Sequence, residues 1–222
     1  MNTLIVLSTL VIPMLTMTHS ESLFDKIKLL NEFGLCLDID QINWSSDFPE
    51  SMPVTVHIAH DNQKLYLYYQ VKGEELRAVN TKDFMSVWED SCVEFFMQRK
   101  GEKTYRNFEF NAHGVLLASK RESKDKAEQL SEELMSSIER FATIQHRYKD
   151  GEQLSDWTLY AEIPKEALGY TVDENLSQQT IGANFYKCGD ETSEPHFISW
   201  NPIDTPSPNF HVPQYFGKLI FD

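Results

Sequence analysis

A strict two-residue alternation in the first half of the chain constrains its fold more than any other feature. Val54, Val56 and Ile58 alternate with Thr55 and His57. Beyond Asp61-Asn62-Gln63, Leu65, Leu67, Tyr69 and Val71 alternate with Tyr66, Tyr68 and Gln70. A strand sends successive side chains to opposite faces, so these runs predict a β-hairpin with one buried face and a turn at 61–63. Cys92–Gln98 and Tyr105–Asn111 predict a second hairpin across the charged tip Arg99-Lys100-Gly101-Glu102-Lys103, and Val115–Ser119 extends that meander. Ala142–Tyr148 and Trp157–Ile163 predict a third pair across Lys149-Asp150-Gly151. Thr180–Cys188 and Phe216–Phe221 read as further strands.

Helical signals are few. Leu23, Phe24, Ile27, Leu29, Leu30 and Phe33 have helical spacing, the preceding Ser20-Glu21-Ser22 offers a serine N-cap, and Gly34 ends the run. Pro164–Gly169 reads as one helical turn, and the charged residues 120–133 as a solvated loop or short helix. Many short strands, no βαβ rhythm and no repeat predict an all-β fold. The expected architecture is an antiparallel β-sandwich with one or two short peripheral helices. The 222 residues are 41% hydrophobic, enough for a full core, and no Gly/Ser-rich linker divides them. Residues 1–222 therefore read as one domain.

Residues 3–17 are largely apolar, but no Lys or Arg precedes Lys26 and Pro13 interrupts the run. It is too short to span a bilayer. A strand at Leu4–Leu7 leading into a loop, in a cytoplasmic protein, is the favoured reading. A signal peptide over residues 1–20 is the alternative and would make the protein secreted or periplasmic. The formal charge is −14, with 34 acidic against 20 basic side chains. Such a surface repels phosphate backbones, so nucleic acid is not an expected partner. Cys36, Cys92 and Cys188 are too few for a disulfide framework, and the latter two read as small buried hydrophobes.

Chemistry concentrates in Trp88-Glu89-Asp90-Ser91-Cys92-Val93-Glu94-Phe95-Phe96 and in Ser199-Trp200-Asn201-Pro202, which precedes an aromatic tail from Pro206 to Phe216. An indole beside polar groups suits a sugar ring, whose faces are apolar and whose rim is hydroxyl. Trp157 alternates with Leu159, Ala161 and Ile163 and reads as core, while Trp44 sits in a Pro-flanked loop that would cover one end of the sandwich. Asp90 and Glu94 invite a glycoside-hydrolase reading. On a strand, however, they stand roughly 13 Å apart, beyond the spacing of a catalytic carboxyl pair. No G-x-S-x-G elbow is present, and the histidines are scattered. Asp38 and Asp40 lie two apart, as hard-cation ligands would, or face solvent from an edge strand.

The chain resembles the carbohydrate-binding family 9-like proteins, a branch of the immunoglobulin-like, DOMON-like β-sandwiches. The resemblance rests on Arg77-Ala78-Val79, on the block Trp88–Phe96, on Asn107-Phe108-Glu109-Phe110-Asn111 and Ile181-Gly182-Ala183-Asn184-Phe185, and on Trp200 with Tyr215-Phe216-Gly217-Lys218-Leu219. It implies a non-catalytic module that holds a mono- or oligosaccharide between two tryptophans, here Trp88 and Trp200. Polar contacts would come from Glu94, Glu109, Asn111 and Asn184. Glu109 stands where xylanase-attached modules carry an arginine. Calcium accompanies some members, and Asp38 is the one candidate ligand. The period agrees in part: Phe108 and Phe110 face one side of their strand, and Glu109 and Asn111 the other. Two rival expectations are a glycoside hydrolase built on Asp90 or Glu94, and an interaction protein that has lost its sugar and pairs through an edge strand.

Overall fold

The computed structural model describes residues 10–18 and 20–222. In chain order the elements are β1 (Leu10–Ile12), α1 (Leu23–Phe33), β2 (Leu35–Asp38), β3 (Val54–His60), β4 (Lys64–Glu74), β5 (Cys92–Arg99), β6 (Tyr105–Asn111), β7 (Leu116–Ser123), β8 (Lys126–Gln129), α2 (Glu132–Ser137), β9 (Glu139–Lys149), β10 (Glu152–Pro164), β11 (Thr180–Gly189), β12 (His196–Ser199) and β13 (Gly217–Phe221). One sheet runs β1-β13-β11-β5-β6-β7-β8, with β12 also paired to β11, and the other runs β2-β3-β4-β10-β9. Neighbours are antiparallel apart from β1 and β13, which run parallel. The expected antiparallel sandwich with two short helices is therefore the fold.

The core between the sheets follows from the alternation. Val56, Ile58, Leu67, Tyr69, Trp157 and Leu159 of one sheet meet Val93, Phe95, Phe108, Phe110, Phe185 and Leu219 of the other. Phe95 stacks on Phe108 and Phe185, with ring centroids 5.9 and 5.2 Å apart. The Tyr69 hydroxyl crosses the core to donate to the Glu94 carbonyl at 2.9 Å.

Both sheets are also covered on their outer faces. The hairpin β3–β4 was expected to bury one face, yet Tyr66 and Tyr68 are buried as well, packed with Ala59 and Tyr160 beneath Leu30, Leu23 and Ile27 of α1. That helix starts where Ser22 caps the Asp25 amide and stops at Gly34, where a β-carbon would stand 2.5 Å from the Leu30 carbonyl oxygen. The outer face of the eight-stranded sheet is covered by Trp44, Ile203, Phe210 and Val212. Trp44 thus lies on a face of the sandwich, its indole N–H donating to the Thr205 carbonyl at 2.7 Å.

Residues 120–133 correct the loop-or-helix expectation. β7 continues to Ser123 and turns into β8, all of whose side chains are exposed, before the single helical turn and a half of α2. The strand expected at Leu4–Leu7 lies outside the described residues, and β1 begins at Leu10. Among the described residues no helix is long and apolar enough to cross a membrane.

Candidate functional site

The site is built on the outer face of the eight-stranded sheet. Alternation sends Cys92, Glu94 and Phe96 of β5 outward, with Glu109 and Asn111 of β6 beside them. Register places Glu94 directly opposite Glu109 on one side and Tyr186 of β11 on the other. A short 3-10 turn, Val87–Glu89, precedes β5 and carries Trp88. It is tied to the end of β11: the Asp190 and Glu191 amides donate to the Trp88 and Glu89 carbonyls at 3.1 and 3.0 Å. These pieces enclose a cavity of about 300 Å³ lined by Trp88, Glu94, Glu109, Arg121, Lys124, Asp125, Cys188, Asp190, Phe197, Pro208, Asn209, Phe210 and His211. Its size lies at the small end of ligand pockets.

The two floor carboxyls, Glu94 and Glu109, are each 3% exposed. Glu94 Oε1 accepts from the Cys188 thiol at 3.0 Å, and Glu109 Oε1 from the Asn107 amide at 2.6 Å. Glu109 Oε2 is buried with no partner. Burial, then the neighbouring Cys188 and Glu109, push the Glu94 carboxyl well above the usual carboxylate range. Burial raises Glu109 to about 7 against the pull of Arg121 and Asn107, and raises Asp190 at the mouth to about 6. His211 hydrogen-bonds the Tyr105 hydroxyl at 3.0 Å. Burial, with Arg121 and Lys124 nearby, lowers it to about 3, so it is neutral.

Of the residues singled out in the sequence, Trp88, Glu94 and Glu109 meet at this cavity; Asn111, Asn184 and Trp200 do not line it. Asn111 donates to the Asn80 carbonyl and to Asp90 Oδ2, both at 2.9 Å, and accepts from the His113 and Val115 amides at 3.0 Å. Its amide is fully occupied. Asn184 donates to the Asn201 carbonyl at 3.0 Å and accepts from the Asn201 amide at 2.9 Å, clamping the loop after β12. Trp200 packs edge-on to Phe185 at 5.8 Å and lies over Gly217, where a β-carbon would stand 2.5 Å from the indole. The aromatic rings that share the cavity with Trp88 are instead Phe197 and Phe210. Phe210 stacks on Tyr186 at 4.0 Å.

Asp90 is likewise structural. Its carboxylate accepts from the Arg77 guanidinium, the Val79 and Asn80 amides and Asn111. That leaves no lone pair for hydrolysis. Asp38 is exposed on the edge strand β2 and belongs to no trio of acidic, His or Cys side chains among the described residues. A second cavity, about 460 Å³, is lined by Glu50, Met52, Glu74, Glu75 and His196 among others, and has no Phe, Tyr or Trp ring for a sugar face.

Sequence reasoning missed Cys188, Asp190, Phe197, Phe210 and His211. The pairing of β5 with β11 would have placed Cys188 beside Glu94. Phe210 lay within the aromatic tail, but nothing there ranked one ring above another.

The family model for carbohydrate-binding family 9 matches residues 22–221. The chain belongs to carbohydrate-binding family 9. A protein from Bacteroides uniformis ATCC 8492 to which carbohydrate binding is ascribed is 32% identical to this family 9 chain, with a TM-score of 0.85 over 96% of this chain and 99% of its own. A family 9 module from Caldicellulosiruptor kristjanssonii, solved with glucose, is 11% identical, with a TM-score of 0.59 over 96% and 95% of the two chains. The same source supplies a family 9 structure with cellotriose, 10% identical, with a TM-score of 0.58 over 96% and 93%. At that distance these two show a common fold. No curated protein sequence matches the chain.

Proposed function

We propose that the chain is a single-domain, non-catalytic carbohydrate-binding protein that holds a short saccharide in the cavity beneath Trp88. The observation that carries this reading is a half-buried indole facing two buried carboxyls across a cavity of about 300 Å³. Trp88 stacks on the apolar face of the ring, Glu94 and Glu109 bond its hydroxyls, and Phe197 and Phe210 close the side. Family membership and the glucose and cellotriose bound by the Caldicellulosiruptor modules support a saccharide ligand. Asn111 and Asn184 act behind the site, one holding the turn that carries Trp88 through Asp90, the other holding the loop that bears Trp200. Trp200 backs β13 rather than stacking on sugar.

Binding without turnover follows from where the acids stand. A glycosidase places its two carboxyls on either side of the scissile bond. Glu94 and Glu109 rise side by side from one floor, so a ring laid on it meets both from the same side.

The test is tryptophan fluorescence titrated with glucose, cellotriose and a wider sugar panel, with reducing-sugar release followed in parallel. A saturable change with a dissociation constant of ~10 µM to 1 mM is expected. Trp88→Ala should remove it and leave the melting temperature within a few degrees of wild type. Silence toward every sugar from folded protein, or unfolding of the variant, would sink the assignment of Trp88. Sugar release abolished by Glu94→Gln would replace binding with catalysis.

A further inference from the structure

Burying a carboxylate is costly unless a cation or several donors accompany it. Among the described residues five carboxyl side chains are buried: Glu74, Asp90, Glu94, Glu109 and Glu162. Three have a cation. Glu74 pairs with Lys187 at 2.7 Å, Asp90 with Arg77, and Glu162 with both Lys26 and Lys64 at 2.6 and 2.5 Å. The two without one are Glu94 and Glu109, neighbours on the cavity floor. Among the described residues no Lys, Arg or His side chain hydrogen-bonds or ion-pairs with either.

The nearby cations are at the mouth and otherwise engaged or solvated. Arg121 donates from Nε to Asn107 Oδ1 at 2.8 Å and from its terminal nitrogen to the Lys124 carbonyl at 2.6 Å. Lys124 is exposed on the β7–β8 turn. Asp125 and Asp190 add two further carboxyls to the lining. The cavity therefore has two carboxyls without a cation at its base, an apolar indole wall and one buried acceptor, Glu109 Oε2, without a donor.

We propose that the saccharide is an amino sugar whose ammonium group seats between Glu94 and Glu109, supplying the cation that the fold gives to its other buried carboxylates. This deepens the saccharide reading and rests on it. An ammonium brings three donors and a full charge, so it answers the free oxygen and favours ionisation of the acid pair. A soft metal ion fits the floor less well. Cys92, Cys188 and Glu94 offer three ligand atoms within 4.8 Å, but an ion held there leaves Glu109 Oε2, the one floor oxygen without a donor, unanswered.

The test is calorimetric titration of the full chain with glucosamine, glucose and N-acetylglucosamine, just below neutral pH and with EDTA present. Glucosamine should bind at least about tenfold more tightly than the two uncharged sugars, and the gap should narrow as salt is added. Glu109→Gln, which keeps the shape of the side chain, should bring glucosamine to parity with glucose, and Glu94→Gln should do the same. Glucosamine binding no tighter than glucose would overturn the amino-sugar assignment and leave the saccharide reading intact. Failure of all three sugars, with cellotriose and the wider panel silent as well, would overturn both. A preference that survives both glutamine variants, each shown to be folded, would also overturn the assignment, because the ammonium would then be held elsewhere.

Discussion

Lys187 and Cys188 are consecutive residues of β11, and each serves a buried carboxyl on an opposite face of the same sheet. On the inner side, the Lys187 ammonium donates to Glu74 Oε1 at 2.7 Å, to the Cys188 carbonyl at 2.8 Å and to His196 Nε2 at 2.6 Å, while the Trp157 indole donates to Glu74 Oε2 at 2.7 Å. On the outer side, Glu94 receives one thiol and faces another acid. Both glutamates are 3% exposed. Burial pushes Glu74 up, but the charge and hydrogen bond of Lys187 overcome it and hold the group below its ordinary value; Glu94 is driven well above it. Equal burial thus goes with shifts of opposite direction, and the partner decides which. A carboxylate given its cation by the fold is structural. One left without is available to a ligand.

The inner cluster should be the most sensitive part of this comparison. Lys187→Met leaves Glu74 buried without a cation, and removing one partner of a buried pair costs about 3–5 kcal/mol. Urea denaturation at neutral pH is the measurement. A loss under about 1 kcal/mol would mean that Trp157 and His196 suffice for Glu74, and the distinction between the two faces would fail. His196, lowered to about 4 by burial and by Lys187, stays neutral in the wild type and accepts from the lysine.

The outer face predicts a stability change with the other sign. Glu109 titrates near 4.5 unfolded and about 7 folded, so the folded protein holds the extra proton between those values. Its contribution is fully present below about 4.5 and is lost as pH rises through about 7, by up to about 3 kcal/mol. Glu74 works in reverse: its lowered value adds stability above the ordinary carboxylate range, which acid removes. Glu109→Gln should therefore be more stable than wild type at pH 8 and nearly equal at pH 4.5, read from paired urea curves. A variant less stable than wild type at pH 8 would mean that Glu109 is an ion stabilised in the fold.

The sequence carried the inner face well and the outer face in part. Leu65, Leu67, Tyr69 and Val71 mark their strand because burial on one side leaves a period of two. The same rule places Glu94 and Glu109 on the outward face, since Val93, Phe95, Phe108 and Phe110 must face the core. β8 left no such mark: with every side chain exposed, its pairing to β7 rests on backbone hydrogen bonds that no residue type announces. Tyr66 and Tyr68 read as the polar half of an alternation, because the helix that buries them arrives from a distant part of the chain. Asn111 and Asn184 carry the same amide whether it meets a hydroxyl or a peptide group, so their commitment to the backbone is invisible without coordinates. The loop that follows Trp200 holds several rings without periodicity, and only its folding over β11 places Phe210, rather than Trp200, at the cavity.

Cys188→Ala removes the single donor to Glu94 Oε1 and a few buried contacts of sulfur. Burial drives Glu94 toward its neutral form, in which the lost hydrogen bond joins two uncharged groups, and such bonds contribute about 1 kcal/mol. The loss in urea should stay near that figure, several-fold below that of Lys187→Met one residue away. Equal losses from the two variants would mean that Glu94 is ionised inside the fold and that the thiol holds a charge as the lysine does. The cavity floor would then need no ligand cation, and the two faces of the sheet would hold their carboxyls alike.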